Sequence, residues 1–225
     1  MCGRFTSLLS SELLEELFGI QLPPEFHPRN NIAPTQQIWI IRQTATGGRY
    51  PSAVRWGLVP HWAKDLSIGN HMINARCETV HEKPAFRIAI RARRCIIPAS
   101  GFFEWDHSGK VRVPHYITLK DGSPLAFAGI WDAWKSPEGE TIESCSILTT
   151  TSNRLVAALH DRMPVILHPT EFSLWLDRSM NKPEKLQRLY QPYPSDLLQE
   201  WEVSSIVNSA SHDTPETIVP LQAPH

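Results

Sequence analysis

What this chain lacks sets its first limits. No apolar run approaches the roughly 20 residues of a membrane span, and the opening MCGRFTSLLSS carries neither a basic leader nor a long apolar stretch. An excess of one charge sign is missing too: 22 basic residues face 23 acidic ones. Bulk electrostatics therefore supplies no nucleic-acid affinity, and such a partner would need a local basic groove. Cysteine is scarce and scattered. Cys2, Cys77, Cys95 and Cys145 form no CxxC pair, so no zinc site and no disulfide framework is indicated. Nor is there an internal repeat or a long polar linker. Residues 1–225 are expected to form a single domain, soluble, cytoplasmic and monomeric, with no membrane contact and no cofactor.

What is present is a chain broken often by its 19 prolines. Ser10 or Ser11 can cap a short helix whose Leu13, Leu14, Leu17 and Phe18 share a face, and Gly19 stops it. PPEFHPRNNIAPTQ predicts an irregular loop, while QIWIIRQ, TGGR and YPSAVRWGLVP predict a hairpin. After a long loop through WAKDLSIGNHMINARCET, Pro84 opens a helical stretch, AFRIAIRARR, that runs into the strand CIIPAS. GFFEWDH and VRVPHYITLK flank the turn HSGK, and LAFAGIWDAW and ESCSILTTT read as further strands. A short helix around NRLVAAL, a strand PVILH, the helices TEFSLWLD and KPEKLQRLYQ, and a strand from EWEVSS complete the pattern. Strands outnumber helices without βαβ alternation. The expected fold class is α+β, with a mostly antiparallel, barrel-like sheet flanked by short helices.

Four stretches hold polar residues that the local pattern does not require. In MCGRF, methionine precedes a residue small enough for it to be trimmed, which would put a free amine and a thiol on Cys2. Their reference pKa values, about 8 and about 8.5, leave both groups reactive near neutrality. From the pentapeptide alone, an ordinary variable terminus is the commoner explanation. In INARCET, Asn74, Arg76 and Glu78 alternate with Ile73, Ala75 and Cys77, giving one polar face that is either a solvent side or a site. In GFFEWDH, Glu104 lies between Phe103 and Trp105. Pointing outward it is ordinary; pointing inward, desolvation raises its pKa and readies it for proton transfer. In ALHDRMPVIL, His160 with Asp161 and Arg162 follows an apolar helix end, where it caps the helix or exchanges protons. Arg87, Arg91 and Arg94 are spaced for one helix side, with Arg93 beside them. That face is solvated or tracks phosphates, with Trp56 and Trp62 of RWGLVPHWAK as exposed aromatics for stacking on unpaired bases. Cys77, Cys95 and Cys145 read as small core residues.

Taken in order, MCGRF, NIAPTQ, RWGLVPHWAK, INARCET, CIIPASGFFEW and ALHDRMPVIL resemble the SOS response-associated peptidase (SRAP) family, from Cys2 to about Pro220. The resemblance implies the SRAP fold and a suicide reagent for abasic sites in single-stranded DNA, acting in the DNA damage response and nucleoid-associated when bound. It also implies that Met1 is lost, by self-processing as a thiol peptidase or by an aminopeptidase, and that Cys2 becomes joined to the sugar. By the same resemblance the catalytic residues are Cys2, Asn74, Glu104 and His160, the DNA contacts are Arg4, Arg76 and Arg162, and Trp62 lies near the strand.

These residue types suit that chemistry. A group such as Glu104 or His160 opens the cyclic hemiacetal, and the Cys2 amine attacks the freed aldehyde to form an imine. The thiol on the same residue then closes a five-membered thiazolidine, an intramolecular step that proximity favours. Because this ring is not a lingering imine, β-elimination is expected only as weak lyase activity. Two rivals are an N-terminal-nucleophile hydrolase, for which the sequence lacks an Asn-Gly-Asp stretch, and a reversible single-stranded DNA module that would need no free Cys2 amine.

Overall fold

Long apolar runs cannot stay exposed on either side, so the strands that carry them must be covered on both faces. The computed structural model describes residues 2–21, 23–180 and 182–221. Along the chain come β1 (Arg4–Ser7), α1 (Ser11–Phe18), β2 (Arg29–Ile32), β3 (Gln37–Gln43), β4 (Arg49–Trp56), β5 (Asn74–Arg76), α2 (Ala89–Ala92) and β6 (Arg94–Ala99). Then follow β7 (Gly101–Asp106), β8 (Val113–Leu119), β9 (Leu125–Lys135), β10 (Thr141–Thr151), β11 (Arg162–Pro164), α3 (Phe172–Leu176), α4 (Pro183–Leu186) and β12 (Leu198–Glu202).

Strands β10, β4, β3, β6 and β9 form a sheet that closes on itself where β9 pairs back onto β10. A second, antiparallel sheet has the order β12, β8, β7, β1, β2. Alternation divides the barrel's side chains between two cores. Ile38, Ile40, Val54, Trp56, Cys95, Ile97, Phe127, Cys145 and Ile147 pack with Phe5, Phe102 and Ile117 of the second sheet. The intervening Ile41, Ile96, Ala126, Ala128 and Leu148 pack instead with Leu14 and Phe18 of α1, Phe172 and Trp175 of α3, and Leu186 of α4. Each fully buried large side chain contributes about 1.5–3 kcal/mol, so the barrel holds the helices and the second sheet through opposite faces. The α+β, barrel-like expectation is met.

Strand β10 outruns the barrel. Beyond its β9 and β4 contacts, its end pairs in parallel with β5 on one edge and antiparallel with β11 on the other. Arg76 lies opposite Thr149 and Arg162 opposite Thr151, so two distant polar motifs meet across one strand.

Helix α1 is capped as expected: the Ser10 side chain accepts from the Leu13 amide at 3.2 Å, and Gly19 closes the helix at φ 66°. Four expectations are corrected. The proline-rich loop contains β2, which pairs with β1 because Pro28 and Pro34 flank that segment without interrupting it. Only Ala89–Ala92 of AFRIAIRARR is α-helical. Arg94 is not on a solvated basic face: it is buried, donating to the carbonyls of Ile90, Trp175 and Asp177. Trp56 is no stacking platform either, since it is fully buried and its indole N–H donates to the Ile73 carbonyl at 2.9 Å.

Candidate active site

Cys2 is separated only by Gly3 from β1, whose pairing with β7 sets Arg4 opposite Phe103 and Phe5 opposite Phe102. Continuing that register carries Glu104 alongside the amino-terminal residues. Cys2 is fully buried, and its thiol donates weakly to the Arg4 carbonyl at 3.7 Å. From β5, Asn74 reaches the same residue: its Nδ2 donates to the Cys2 carbonyl at 2.9 Å. Burial pushes the Cys2 thiol well above its ordinary range, and the nearby Glu104 charge adds to the effect. In this form the sulfur is held as a protonated thiol.

Glu104 points inward and is 2% exposed. The two residues before it on the strand, Phe102 and Phe103, are fully buried on opposite faces. Burial raises Glu104 to about 7, while the positive charge of the chain's amino terminus pulls the other way. A carboxyl poised there exchanges a proton readily at neutral pH.

His160 lies between a 3-10 turn (Val156–Ala158) and β11, two residues before that strand begins. Its Nδ1 lies 3.0 Å from the Arg162 backbone N–H and 2.8 Å from an Asp161 carboxylate oxygen. The N–H only donates and the carboxylate only accepts, so the two contacts belong to different protonation states. Burial, with the charge of the amino terminus, lowers the His160 pKa below its ordinary 6.5. Near neutrality the ring is thus uncharged, Nδ1 accepts from Arg162, and Nε2 keeps the proton. On protonation, Nδ1 gains a hydrogen that only Asp161 can accept.

Glu104 and His160 line one cleft of about 400 Å³ together with Trp105, His107, Arg112 and Asn208. Asn208 is fixed from behind, as the Trp105 indole N–H donates to its side-chain oxygen at 2.7 Å. His107, Arg112 and Asn208 were missed in the sequence, because single polar residues in turns carry no periodic signal.

The expected DNA contacts fall into two kinds. The Arg4 guanidinium donates to Asn31 at 2.9 Å and to the carbonyls of Val207 and Asn208 at 2.6 and 3.0 Å. Arg162 forms a bidentate pair with Glu78 at 2.7 and 2.8 Å and also donates to the Thr149 carbonyl at 2.7 Å. The Arg162 side chain is 8% exposed, and Glu78 balances its charge. Arg76, by contrast, is exposed, and its side chain has no hydrogen bond or ion pair among the described residues. Trp62 is 49% exposed. Its loop is shaped upstream by Gly57, whose φ of +123° and 2.5 Å approach of the Gly69 carbonyl to a would-be Cβ exclude any other residue. Immediately before Trp62, the His61 amide donates to Asp132 at 3.1 Å, and the same carboxylate lies 3.1 Å from the His61 ring. Among the described residues no group of three or more His, Cys, Asp or Glu side chains is placed to hold a metal ion.

Comparison with known proteins gives the chain a family. Residues 1–210 match the family described as SOS response associated peptidase (SRAP). The chain is 45% identical over 222 residues to the abasic site processing protein YoqW of Bacillus subtilis, covering 97% of this chain and 99% of that one. It is 29% identical over 270 residues to the mouse abasic site processing protein HMCES, covering 98% and 76% respectively. A crystal structure of a Bacteroides thetaiotaomicron protein superposes with a TM-score of 0.82 at 27% identity, covering 97% of this chain and all of that one. With its two sheets joined at the amino-terminal cysteine and its motifs in order from end to end, this chain belongs to the SRAP family.

Proposed function

We propose that this protein processes abasic sites in single-stranded DNA by covalent capture at Cys2, once Cys2 is the first residue. The observation that carries the reading is the convergence of Asn74 and Glu104 on that residue: a 2.9 Å hydrogen bond to its carbonyl and a buried carboxyl near half-protonation. A protonated Glu104 delivers a proton to the sugar ring oxygen as the C1′–O4′ bond breaks, while the C1′ hydroxyl gives its proton to water and becomes the aldehyde. The Cys2 amine adds to C1′ and water leaves, giving an imine. The thiol then adds across the C=N bond, its proton moves to nitrogen, and the product is a thiazolidine. Proximity within one residue drives the closing step. His160, uncharged with hydrogen on Nε2, is suited to donating to a sugar oxygen on the same cleft. Asn74 fixes the Cys2 backbone so that amine and thiol approach from a constant direction. Arg76 is assigned to flanking phosphates and Trp62 to base stacking. Arg4 and Arg162 serve the strand from positions already tied to the protein.

Ring closure removes the imine that β-elimination requires, so strand cleavage is a minor leak. The test mixes protein of confirmed Cys2 terminus with single-stranded DNA bearing one abasic site and separates the products on a denaturing gel. A shifted band that survives denaturation and disappears with Cys2→Ala supports capture. No band from the wild type, or an undiminished stable band from Cys2→Ser, overturns the thiazolidine route.

A further inference from the structure

Single-stranded DNA carries a negative charge at every nucleotide, so a cleft that holds it must offer positive charge not already balanced by the protein. Around this cleft most arginines are engaged. Arg4 is tied to one side chain and two carbonyls, and Arg162 to Glu78 and Thr149. Farther off, Arg42 pairs with Glu143, Arg93 with Asp132 and Arg29 with Asp213. Arg112 differs from all of these. It lines the cleft beside Glu104 and His160, it is exposed, and its side chain has no hydrogen bond or ion pair among the described residues.

We propose that Arg112 is a phosphate-binding residue for the DNA strand, on the hairpin wall of the cleft. This rests on the reading of the cleft as a single-stranded DNA site and adds a contact to it. Arg112 immediately precedes β8, and the β7–β8 ladder sets Asp106 opposite Val113 and Trp105 opposite Pro114. The guanidinium is therefore carried on a paired ribbon whose position relative to Glu104 is fixed. The acid on that ribbon is not paired with it: Asp106 accepts from the amide and hydroxyl of Ser108 at 2.7 and 2.9 Å, closing the turn. Within the cleft, burial keeps Glu104 substantially protonated near neutrality. Asp161, 79% exposed and facing His160, is the acid from which a phosphate must keep its distance, which favours the hairpin wall. A planar guanidinium presents paired donors that match two phosphodiester oxygens.

The experiment uses the full chain with Cys2→Ala, so that binding is reversible, and a fluorescent single-stranded oligonucleotide carrying a tetrahydrofuran abasic analogue that has no aldehyde. Affinity is read by anisotropy across a series of KCl concentrations. Arg112→Gln is expected to weaken binding about fivefold at low salt and to reduce the slope of log K against log salt by about 0.7, the value for one single-strand phosphate contact. Arg112→Lys should keep the slope, and Arg188→Gln, a substitution on an exposed residue outside the cleft, should leave both quantities unchanged. A parent protein that binds, with an Arg112→Gln slope equal to its own, overturns the assignment while leaving the site intact. A parent that does not bind overturns the DNA site and Arg112 with it. An Arg188→Gln loss equal to that of Arg112→Gln would show only diffuse charge and would also overturn it.

Discussion

Replacing Glu104 with Gln removes one titration from a buried position, and its effect follows from the environment. Burial lifts this carboxyl from the 4.5 of an ordinary glutamate to about 7. A folded-state pKa above the unfolded value means that stability is lost as pH rises. Below about 4.5 both states hold the proton and no cost exists. Between 4.5 and 7 the unfolded chain ionises first, and above 7 the folded state has lost about 3 kcal/mol relative to acid pH. Gln does not ionise, so the stability of Glu104→Gln relative to wild type should rise by about 2 kcal/mol between pH 5 and pH 8. Urea unfolding of both proteins at several pH values reads this directly, with unchanged m-values as the check that the same transition is compared. A difference that stays flat with pH would mean that Glu104 is already ionised at pH 5 and would refute the burial argument. The same variant should capture abasic DNA about a hundredfold more slowly, the usual scale for loss of a positioned acid.

Three further substitutions test the framework around the site. Glu78→Gln leaves the 8%-exposed Arg162 guanidinium without its counter-ion. Discounted for the partial exposure of Glu78, the loss should be about 2 kcal/mol by urea unfolding, and a change below about 0.5 kcal/mol, the range of an ordinary surface substitution, would contradict the pairing. Asp161→Asn removes a charge that supports protonation of His160. The His160 pKa, followed by NMR of the ring, should fall further, and a rise would exclude the alternating Nδ1 contacts. Gly57→Ala forces a Cβ to within 2.5 Å of the Gly69 carbonyl at φ +123° and should lower stability by about 2 kcal/mol or more in thermal unfolding.

How far the sequence could be read varies with the range of the interaction that decides each residue. Helix α1 was legible because its cap, apolar face and stop all lie within ten residues. The barrel strands were legible because parity is local, and the burial of Trp56 was available in the same way, since it shares parity with buried Val54. Glu104 was undecidable from alternation, because β7 is buried on both faces at Phe102 and Phe103. Its inward direction is set by pairing with β1, almost a hundred residues away in the chain. Arg4 and Arg162 looked like free cations because their partners, Val207 and Glu78, stand 203 and 84 positions distant. Arg94 disguises itself by length, crossing the edge of an apolar core to find carbonyls beyond it. The motif order proposed the site residues, whereas the cleft's outer wall required the fold.

The tie between Arg4 and the carbonyls of Val207 and Asn208 also sets an order of events during synthesis. A ribosome has made more than two hundred residues before the strand next to Cys2 finds that partner, and Asn208 completes the cleft only then. Until that moment, on the proposed reading, a nascent chain that has lost Met1 displays its amine and thiol in water, open to any free aldehyde it meets. On the proposed reading, folding therefore does more than build a reactive centre: a contact that must wait for residue 207 helps to withdraw an indiscriminate reagent from solution.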